Sequence, residues 1–258
     1  MIEADAIHFL KTTHCRLARQ QDLSPNNSEV NHCFGALVSK LKQWHMDGFG
    51  GDLLNHPDLA EAARDLPRIC ARAEYEMEKF WSQKIIDSKA PNATLASFPY
   101  YNDYDKLVTD EVALLGCSPR QVLFLGSGPL PLSALVVAKR HPDANIVCIE
   151  RDEAACQLCR TIVDLFDLDA RISVVNSDAN TYNSDSVDLI VCAALIEDFN
   201  IFDSILASRA EYILAREGDG VVEFFYRRHC QPNSLFCLAT TLNSSENKLV
   251  TSKLYRKC

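Results

Sequence analysis

The chain has 258 residues, of which 47% are hydrophobic and 24% are charged, proportions that fit a globular protein with a substantial core and exclude a disordered or fibrous one. Its formal net charge of -9 disfavours nucleic acids and anionic membranes as partners. The eleven cysteines are expected to be reduced, mostly buried thiols in a cytoplasmic protein, because the number is odd and neither a secretory segment nor a membrane-spanning run is found.

The chain up to about residue 115 is predicted to be helical. Its apolar residues recur every three or four positions, and runs of β-branched residues that would favour strands are scarce. Predicted helices cover residues 4–19, 28–44, a short segment after Pro57, 66–86 and 104–116. The aromatic-rich stretch at residues 92–103 is predicted to be a loop.

Beyond Pro119 short apolar runs alternate with helical segments. This alternation is typical of βαβ units, in which helices cover both faces of a parallel sheet. Strands are predicted over residues 121–125, 145–149, 171–176, 187–193 and 221–226, helices over 132–140, 152–166 and 202–216, and a closing strand pair over 235–255. We therefore expect an α/β protein with an all-helical domain at residues 1–116 and a parallel-sheet domain at residues 117–258.

A pair of glycines marks the first turn of the predicted sheet. Gly126, Ser127 and Gly128 directly follow a strand and precede a helix, where backbone N–H groups at a positive helix end can approach a ligand closely. The next strand ends at Glu150, the position at which nucleotide-binding folds hydrogen-bond ribose hydroxyls. These features favour a ribose-bearing ligand, although Glu150 could instead be an exposed acid that caps the following helix beside Asp152.

The residues after the glycines narrow the class of ligand. Pro129 and Pro131 lack the N–H donors that a pyrophosphate needs, which argues against NAD and for a smaller ligand without phosphate, such as S-adenosylmethionine. Asp178 follows the third strand, where such folds contact the adenine amino group, or it is a turn acid ahead of Asn180. The remaining predicted cofactor contacts are Pro129, Leu130, Arg151, Ala179 and Ala193.

Three segments carry a resemblance to a known family: F-L-G-S-G-P-L-P-L-S at residues 124–133, F-P-Y-Y-N-D-Y at 98–104 and A-E-Y-E-M-E at 73–78. They resemble the nicotianamine synthase family and, by size, its bacterial opine-metallophore branch, and the likeness extends from about residue 65 to about residue 200. The resemblance implies a helical domain followed by a Rossmann-like (class I methyltransferase-like) domain, with S-adenosylmethionine as co-substrate.

The resemblance also implies an uncommon reaction. The 3-amino-3-carboxypropyl (aminobutanoyl) group of S-adenosylmethionine moves to an amine nitrogen, and methylthioadenosine leaves. For the bacterial branch, the resemblance implies that the acceptor is histidine and that a separate opine dehydrogenase completes the metallophore. No metal site is expected in the enzyme itself, because its seven histidines form no helical pair at i and i+4.

Two acids of the helix predicted at residues 66–86 are candidates for the catalytic carboxylate. An unprotonated amine must be held in line with the carbon that it attacks, so positioning and proton removal carry the reaction. Glu74 and Glu78 are four residues apart and share a helix face. The resemblance favours Glu78 as the base or amine-positioning residue; without it, the favoured interpretation is a solvated face shared with Glu76 and Lys79.

Tyrosines are the predicted partners of this carboxylate, since a phenol can orient an amine without adding a charge beside a sulfonium. Tyr100, Tyr101 and Tyr104 lie close together in the sequence, and at least one of them is expected only to pack a domain interface. The resemblance favours Tyr104 first and Tyr100 second as residues of the reaction chamber. Asp110 and Glu111 on the same helix could face the cleft, but surface acids are the favoured interpretation.

Two other functions stay open at the level of sequence. The same cofactor site could support methyl transfer to a small molecule, or the chain could be a non-catalytic nucleoside-sensing module whose helical half binds a partner protein. Cys156 and Cys159 form a C-x-x-C pair on a predicted helix, without a second pair, and core packing explains it. The sequence decides neither between L- and D-histidine as acceptor nor whether the chain forms a homodimer.

Overall fold

The computed structural model describes residues 2–182, 187–196, 210–229, 234–243 and 249–258. In these ranges the helices are α1 (Ile2–Ala18), α2 (Ser28–Met46), α3 (Ala60–Ile86), α4 (Pro91–Ala96), α5 (Tyr101–Ala113), α6 (Leu132–Arg140) and α7 (Glu153–Leu165). The strands are β1 (Gln121–Leu125), β2 (Asn145–Glu150), β3 (Ile172–Asn176), β4 (Val187–Cys192), β5 (Ala210–Glu217), β6 (Phe236–Leu242) and β7 (Thr251–Lys257). None of the described helices has the length and hydrophobicity needed to cross a membrane.

The predicted break ahead of residue 66 is wrong, because α3 continues from Ala60 to Ile86. Pro67 lies inside this helix and cannot donate the usual backbone hydrogen bond. The helix nevertheless buries a continuous apolar face whose members recur every three or four residues: Ala62, Leu66, Cys70 and Ala73. Burial of this face stabilises the helix enough to carry it through the proline.

The loop predicted at residues 92–103 is also wrong, because this stretch holds α4 and the start of α5. Pro91 is the first residue of α4, a position at which the missing N–H has no partner to lose. Leu95 and Phe98 are buried. Leu95 therefore packs inward from α4, and Phe98 from the short turn that joins α4 to α5.

The seven described strands form one sheet in the order β3-β2-β1-β4-β5-β7-β6. β1 pairs in parallel with β2 and β4, β2 with β3, and β4 with β5. β6 and β7 are antiparallel, which confirms the predicted closing strand pair. The chain goes outward from β1 to β3 and then returns to the other side of β1, so the loops after β1 and β4 lie where the strand order reverses, the usual ligand site of such sheets.

Two predicted elements near the C-terminal end are corrected. Residues 210–216, predicted to be helical, belong to β5, which pairs in parallel with β4; residues 202–209 of the same predicted helix lie outside the described ranges. Most of residues 221–226, predicted to form a strand, belong to the 3-10 turn Gly220–Phe224. Both stretches are largely buried apolar runs, and periodicity alone does not distinguish a buried strand from a buried helical segment.

The chain forms two compact units. The first comprises Met1–Met77, Glu217–Arg228 and Asn243–Thr251, and the second comprises Glu78–Arg216, His229–Leu242 and Ser252–Cys258. The change from helices to strands occurs where residue 116 was predicted to divide the chain, but the compact units divide inside α3. The reason is that α5 packs against α6 and is tied to it by the ion pair between Asp105 and Arg140, so the helices just before β1 belong with the sheet.

Most of the described cysteines are buried thiols, as predicted, but two of them form a disulfide. Six of the eight described free cysteines are buried, whereas Cys237 and Cys258 are bonded to each other. The antiparallel pairing of β6 with β7 brings their Cα atoms to 6.0 Å, a separation that a disulfide can span. The expectation of reduced thiols is therefore wrong for this pair.

Residues 217–228 lie along α3 within the first unit. Arg227 Nη2 donates a hydrogen bond to the carbonyl of Arg64 at 2.8 Å, and Tyr226 Oη donates to Glu74 Oε1 at 2.6 Å. Tyr226 is buried. Burial raises the pKa of Glu74 to about 7, and the hydrogen bond from Tyr226 opposes only part of this rise. Glu74 is therefore a carboxyl group that titrates near neutral pH.

Glu74→Gln is predicted to remove a pH-dependent penalty on folding. The ordinary pKa of 4.5 rises to about 7 in the folded chain, so the folded state holds the proton more tightly, and Glu74 opposes folding increasingly as pH rises between these values. Glutamine stays neutral and can still accept the hydrogen bond of Tyr226. From about pH 5 to pH 8 the free energy of unfolding of the variant should therefore gain up to about 3 kcal/mol relative to wild type, measured by urea denaturation.

The control for this measurement is Glu61→Gln, which removes an exposed carboxylate from the same helix. Its free energy of unfolding should follow that of the wild type across the pH range. If the difference between Glu74→Gln and wild type were the same at both ends of the range, the raised pKa of Glu74 would be wrong.

Candidate active site

The loop after β1 is held close to β2 by its glycine backbone. Gly126 and Gly128 have φ values of 71° and 66°, in the left-handed region that glycine adopts readily. The N–H groups of Gly126 and Ser127 donate to the carbonyl of Ile149 at 2.9 and 3.3 Å. The chain then passes through Pro129 and Pro131 and starts α6 at Leu132, so the predicted strand, loop and helix are confirmed.

Glu78 lies directly against this loop. A β-carbon built on Gly128 would overlap the Glu78 carboxylate, whose Cδ lies 3.3 Å from that position. One turn further along α3, the buried Ser82 donates from Oγ to the carbonyl of Pro129 at 2.9 Å. The structure therefore brings the predicted catalytic carboxylate together with the predicted cofactor loop, and only glycine at position 128 leaves space for this approach.

Glu150, the last residue of the neighbouring strand β2, contacts the same glycine. Its Oε2 accepts the N–H of Gly128 at 3.1 Å, and its Oε1 accepts the N–H of Asp152 at 2.9 Å. The helix α7 is capped by Asp152, which accepts from Ala154 and Ala155. Glu150 is therefore a partly buried acid that links the loop to the turn after β2, and the alternative that it caps the helix is wrong. Its neighbour Arg151 is exposed.

The other predicted cofactor residues lie at the ends of the neighbouring strands. Asp178, after β3, is exposed, and its Oδ1 accepts the N–H of Asn180 at 2.8 Å, the geometry of the turn acid considered above. Ala179 packs against the core of the sheet. Ala193 follows β4 and donates to the carbonyl of Leu125 at 3.1 Å. Because the first four strands are parallel, these positions all belong to the carboxyl edge of one sheet.

An aromatic row connects the end of α3 with the start of α5. The Trp81 and Phe98 rings lie 5.3 Å apart, and Phe98 and Tyr100 lie 5.7 Å apart, in edge-on arrangements. Tyr100 is 44% exposed and immediately precedes α5. Tyr104, in the first turn of α5, is partly buried, and its N–H donates to the carbonyl of Tyr100 at 2.9 Å. Both tyrosines belong to the same compact unit as Glu78.

Tyr226, Glu111 and Arg216 are three candidates that were not predicted as functional residues from the sequence. Tyr226 is the hydrogen-bond partner of Glu74, which lies 152 positions away in the chain, and no motif marks this tyrosine. Glu111 was expected at the surface but is 2% exposed, and Arg216 forms an ion pair with it at 2.7 Å. The only sequence signal for this pair is an arginine within an apolar run, which is a poor position for an unpaired charge.

Within the described ranges, no group of three or more His, Cys, Asp or Glu side chains is arranged to hold a metal ion. Cys156 and Cys159 are both buried on α7, in agreement with the core-packing interpretation of the C-x-x-C pair. Burial raises the pKa of each thiol, and for Cys159 a hydrogen bond with Cys148 is the larger cause.

Comparisons with known proteins bear on this geometry. The nicotianamine synthase protein family model matches residues 4–213. Nicotianamine synthase 9 of Hordeum vulgare is 36% identical in an alignment of 189 residues that covers 67% of this chain and 53% of that protein. Nicotianamine synthase 3 of Oryza sativa subsp. indica is 38% identical over 70% of this chain and 54% of that protein. The chain thus spans about half the length of the curated relatives that it matches.

Solved structures of MtNAS share the fold. A mutant of MtNAS superimposes with a TM-score of 0.86 at 21% identity, covering 98% of each chain. The same mutant in complex with S-adenosylmethionine gives 0.83, and MtNAS in complex with MTA and tNA gives 0.84. The family model covers most of the chain and the fold agrees with it, and the chain therefore belongs to the nicotianamine synthase family.

Proposed function

We propose that this protein transfers the 3-amino-3-carboxypropyl (aminobutanoyl) group of S-adenosylmethionine to an amine nitrogen and releases methylthioadenosine. The observation that carries the proposal is the approach of the Glu78 carboxylate to Gly128 in the loop at the carboxyl edge of the sheet. A carboxylate at this position can hold or deprotonate an amine. Family membership and the MtNAS complex with S-adenosylmethionine support the same conclusion.

The loop and the strand ends would hold the co-substrate. Gly126 and Gly128 carry no β-carbon, so the loop can lie against the Ile196 side chain and the Glu78 carboxylate, respectively. Glu150 has the acceptor oxygens for ribose hydroxyls and would exchange its bond with the Gly128 N–H to use them. The proposed contacts are Gly126, Ser127, Gly128, Pro129, Leu130, Glu150, Arg151, Asp178, Ala179 and Ala193.

The reaction is a displacement at carbon. The amine lone pair forms a C–N bond with the γ-carbon of the aminobutanoyl group while the C–S bond breaks, and its electron pair stays on sulfur, so that the cationic sulfonium becomes a neutral thioether. The nitrogen then carries one proton too many. Glu78 accepts that proton or holds the amine in line, and Tyr104 and Tyr100 orient the acceptor through hydrogen bonds. Glu74, one helical turn before Glu78, is a second acid for the same chemistry.

Histidine is the proposed acceptor, and the product is an intermediate of a nicotianamine-like opine metallophore that an opine dehydrogenase completes. This assignment rests on the resemblance of residues 73–78, 98–104 and 124–133 to the nicotianamine synthase family and, by size, of the chain to the bacterial branch. A cytoplasmic location follows from the same assignment, because both small substrates are metabolites of that compartment. The net charge of -9 suits a cationic sulfonium better than a phosphate-rich ligand.

Product analysis tests the reaction. We expect the purified protein, incubated with S-adenosylmethionine and either L- or D-histidine, to release methylthioadenosine and to add one or more aminobutanoyl units to the acceptor, as measured by mass spectrometry. A methylated acceptor with S-adenosylhomocysteine would show methyl transfer instead. Binding of S-adenosylmethionine without turnover of any amino acid tested would favour a sensor.

Glu78→Gln should lower kcat by about 10²–10⁴-fold, the usual contribution of a general base, and leave the affinity for S-adenosylmethionine nearly intact. The variant removes a proton acceptor but keeps the shape of the side chain beside Gly128. Titration calorimetry measures the affinity, and product formation measures kcat. Glu61→Gln, on the same helix but exposed, is the control and should retain wild-type turnover. A large loss of affinity with kcat unchanged would place Glu78 outside the reaction chamber.

Gly128→Ala should reduce turnover because its methyl group occupies the place of the Glu78 carboxylate. Gly116→Ala is the matched control: its φ of 68° imposes the same backbone strain, of about 1–2 kcal/mol, but no atom lies within 4 Å of the added carbon. Both variants should lose similar stability in thermal melts, and only Gly128→Ala should lose turnover. Equal turnover in the two variants would contradict a role for the contact between Gly128 and Glu78.

A further inference from the structure

A buried ion pair in the second unit joins α5 to β5. Arg216 donates from Nε to Glu111 Oε1 at 2.9 Å and from Nη2 to Oε2 at 2.7 Å. The side chains of Arg216 and Glu111 are only 7% and 2% exposed. The two parallel bonds fix the relative orientation of the planar guanidinium and carboxylate groups, which a single bond would not do.

The same pair also holds α6 and β7. The third nitrogen of Arg216, Nη1, donates to Ser133 Oγ at 2.8 Å. The hydroxyl of the fully buried Ser252 donates to Glu111 Oε1 at 2.6 Å. Four elements of the second unit therefore meet at one guanidinium and one carboxylate.

The members of this network lie next to the proposed active site. Arg216 follows Ala215, which pairs with Cys192, and Cys192 pairs with Leu125, so Arg216 is level with the start of the glycine loop. Ser133 is the second residue of α6, directly after that loop. Glu111 comes seven residues, or two helical turns, after Tyr104 on α5. Residues i and i+7 share a helix face, so Glu111 fixes the face from which Tyr104 projects.

The free energy of a buried ion pair indicates whether it contributes to stability or to geometry. The free-energy cost of removing two charges from water offsets much of their mutual attraction. Replacement of a buried ion pair by apolar residues of similar volume therefore often leaves stability unchanged or raises it. A network of this kind therefore restricts geometry more than it adds stability. Here the geometry that it restricts is that of α5 and of the loop-bearing end of α6.

We propose that Glu111 and Arg216 are positioning residues, which hold Tyr104 and the glycine loop in register for the transfer reaction. The inference rests on the proposed function, because it assigns their role to that same site. Neither residue needs to touch a substrate. The network acts through α5 and α6, and its loss should affect the chemical step before it affects the fold.

The double variant Glu111→Met/Arg216→Met tests this role. It replaces the pair by apolar side chains of similar length, so its melting temperature should stay close to that of the wild type: removal of two buried charges is favourable or neutral, whereas the buried Ser252 hydroxyl loses its acceptor. Its kcat for release of the nucleoside product should nevertheless fall about ten- to a hundredfold, the loss expected when reacting groups are slightly misplaced. Hydrogen exchange of the α5 amides should become faster at the same time. The matched control is Arg16→Met/Glu29→Met, which removes an exposed pair of the same residue types. This variant should keep the wild-type kcat and the wild-type hydrogen exchange in α5.

Each outcome decides for or against the role. A stable double variant with wild-type kcat and wild-type exchange in α5 would overturn it. If the double variant does not fold, Arg216→Lys, which keeps the charge but lacks the planar fork that reaches Ser133, is measured well below its melting temperature. Reduced kcat in this folded protein supports the role, and unchanged kcat overturns it. The product formed by the wild type tests the reaction separately, and the exchange measurement reports on the network even if that reaction is wrong.

Discussion

The absence of a side chain at Gly128 is the constraint on which the proposed site depends. Two carboxylates converge on this residue: Glu150 accepts its N–H, and Glu78 occupies the space that a β-carbon would fill. Its left-handed backbone directs the loop between them and onward into α6. This residue thus lets the Glu78 carboxylate lie against the loop, and negative charge is gathered where the proposed cationic co-substrate would lie.

A parallel sheet with this strand order can support several reactions, because chemistry belongs to the groups at its carboxyl edge and not to the sheet itself. In this chain those groups include a carboxylate delivered from a long helix, and a row of aromatic rings from Trp81 to Tyr100. Both come from the part of the chain from α3 to α5, which precedes the sheet in the sequence. The proposal of amine chemistry over methyl transfer rests on the addition of these helical segments to the sheet edge.

The stability of the site and its precision have different physical origins. Apolar burial along α3 and within the sheet holds the elements together, but it is not directional. The pair formed by Glu111 and Arg216 is directional, because each nitrogen of the guanidinium has its own oxygen partner. Such interactions give a helix one orientation against the sheet, and a displacement of even about 1 Å matters for catalysis.

The sequence by itself determined that a helical segment precedes the sheet, the positions of β1 to β4, the glycine loop at 126–128 and the acid at Glu150, because periodicity and turn chemistry are local properties. Its motifs also led to the family and to Glu78. Only the tertiary structure decided that α3 is one helix, that residues 210–217 form a strand, and that Tyr226 and Arg216 are the partners of Glu74 and Glu111. These outcomes depend on contacts between residues up to 152 positions apart, and a buried apolar run or an isolated acid carries no local signal of its partner.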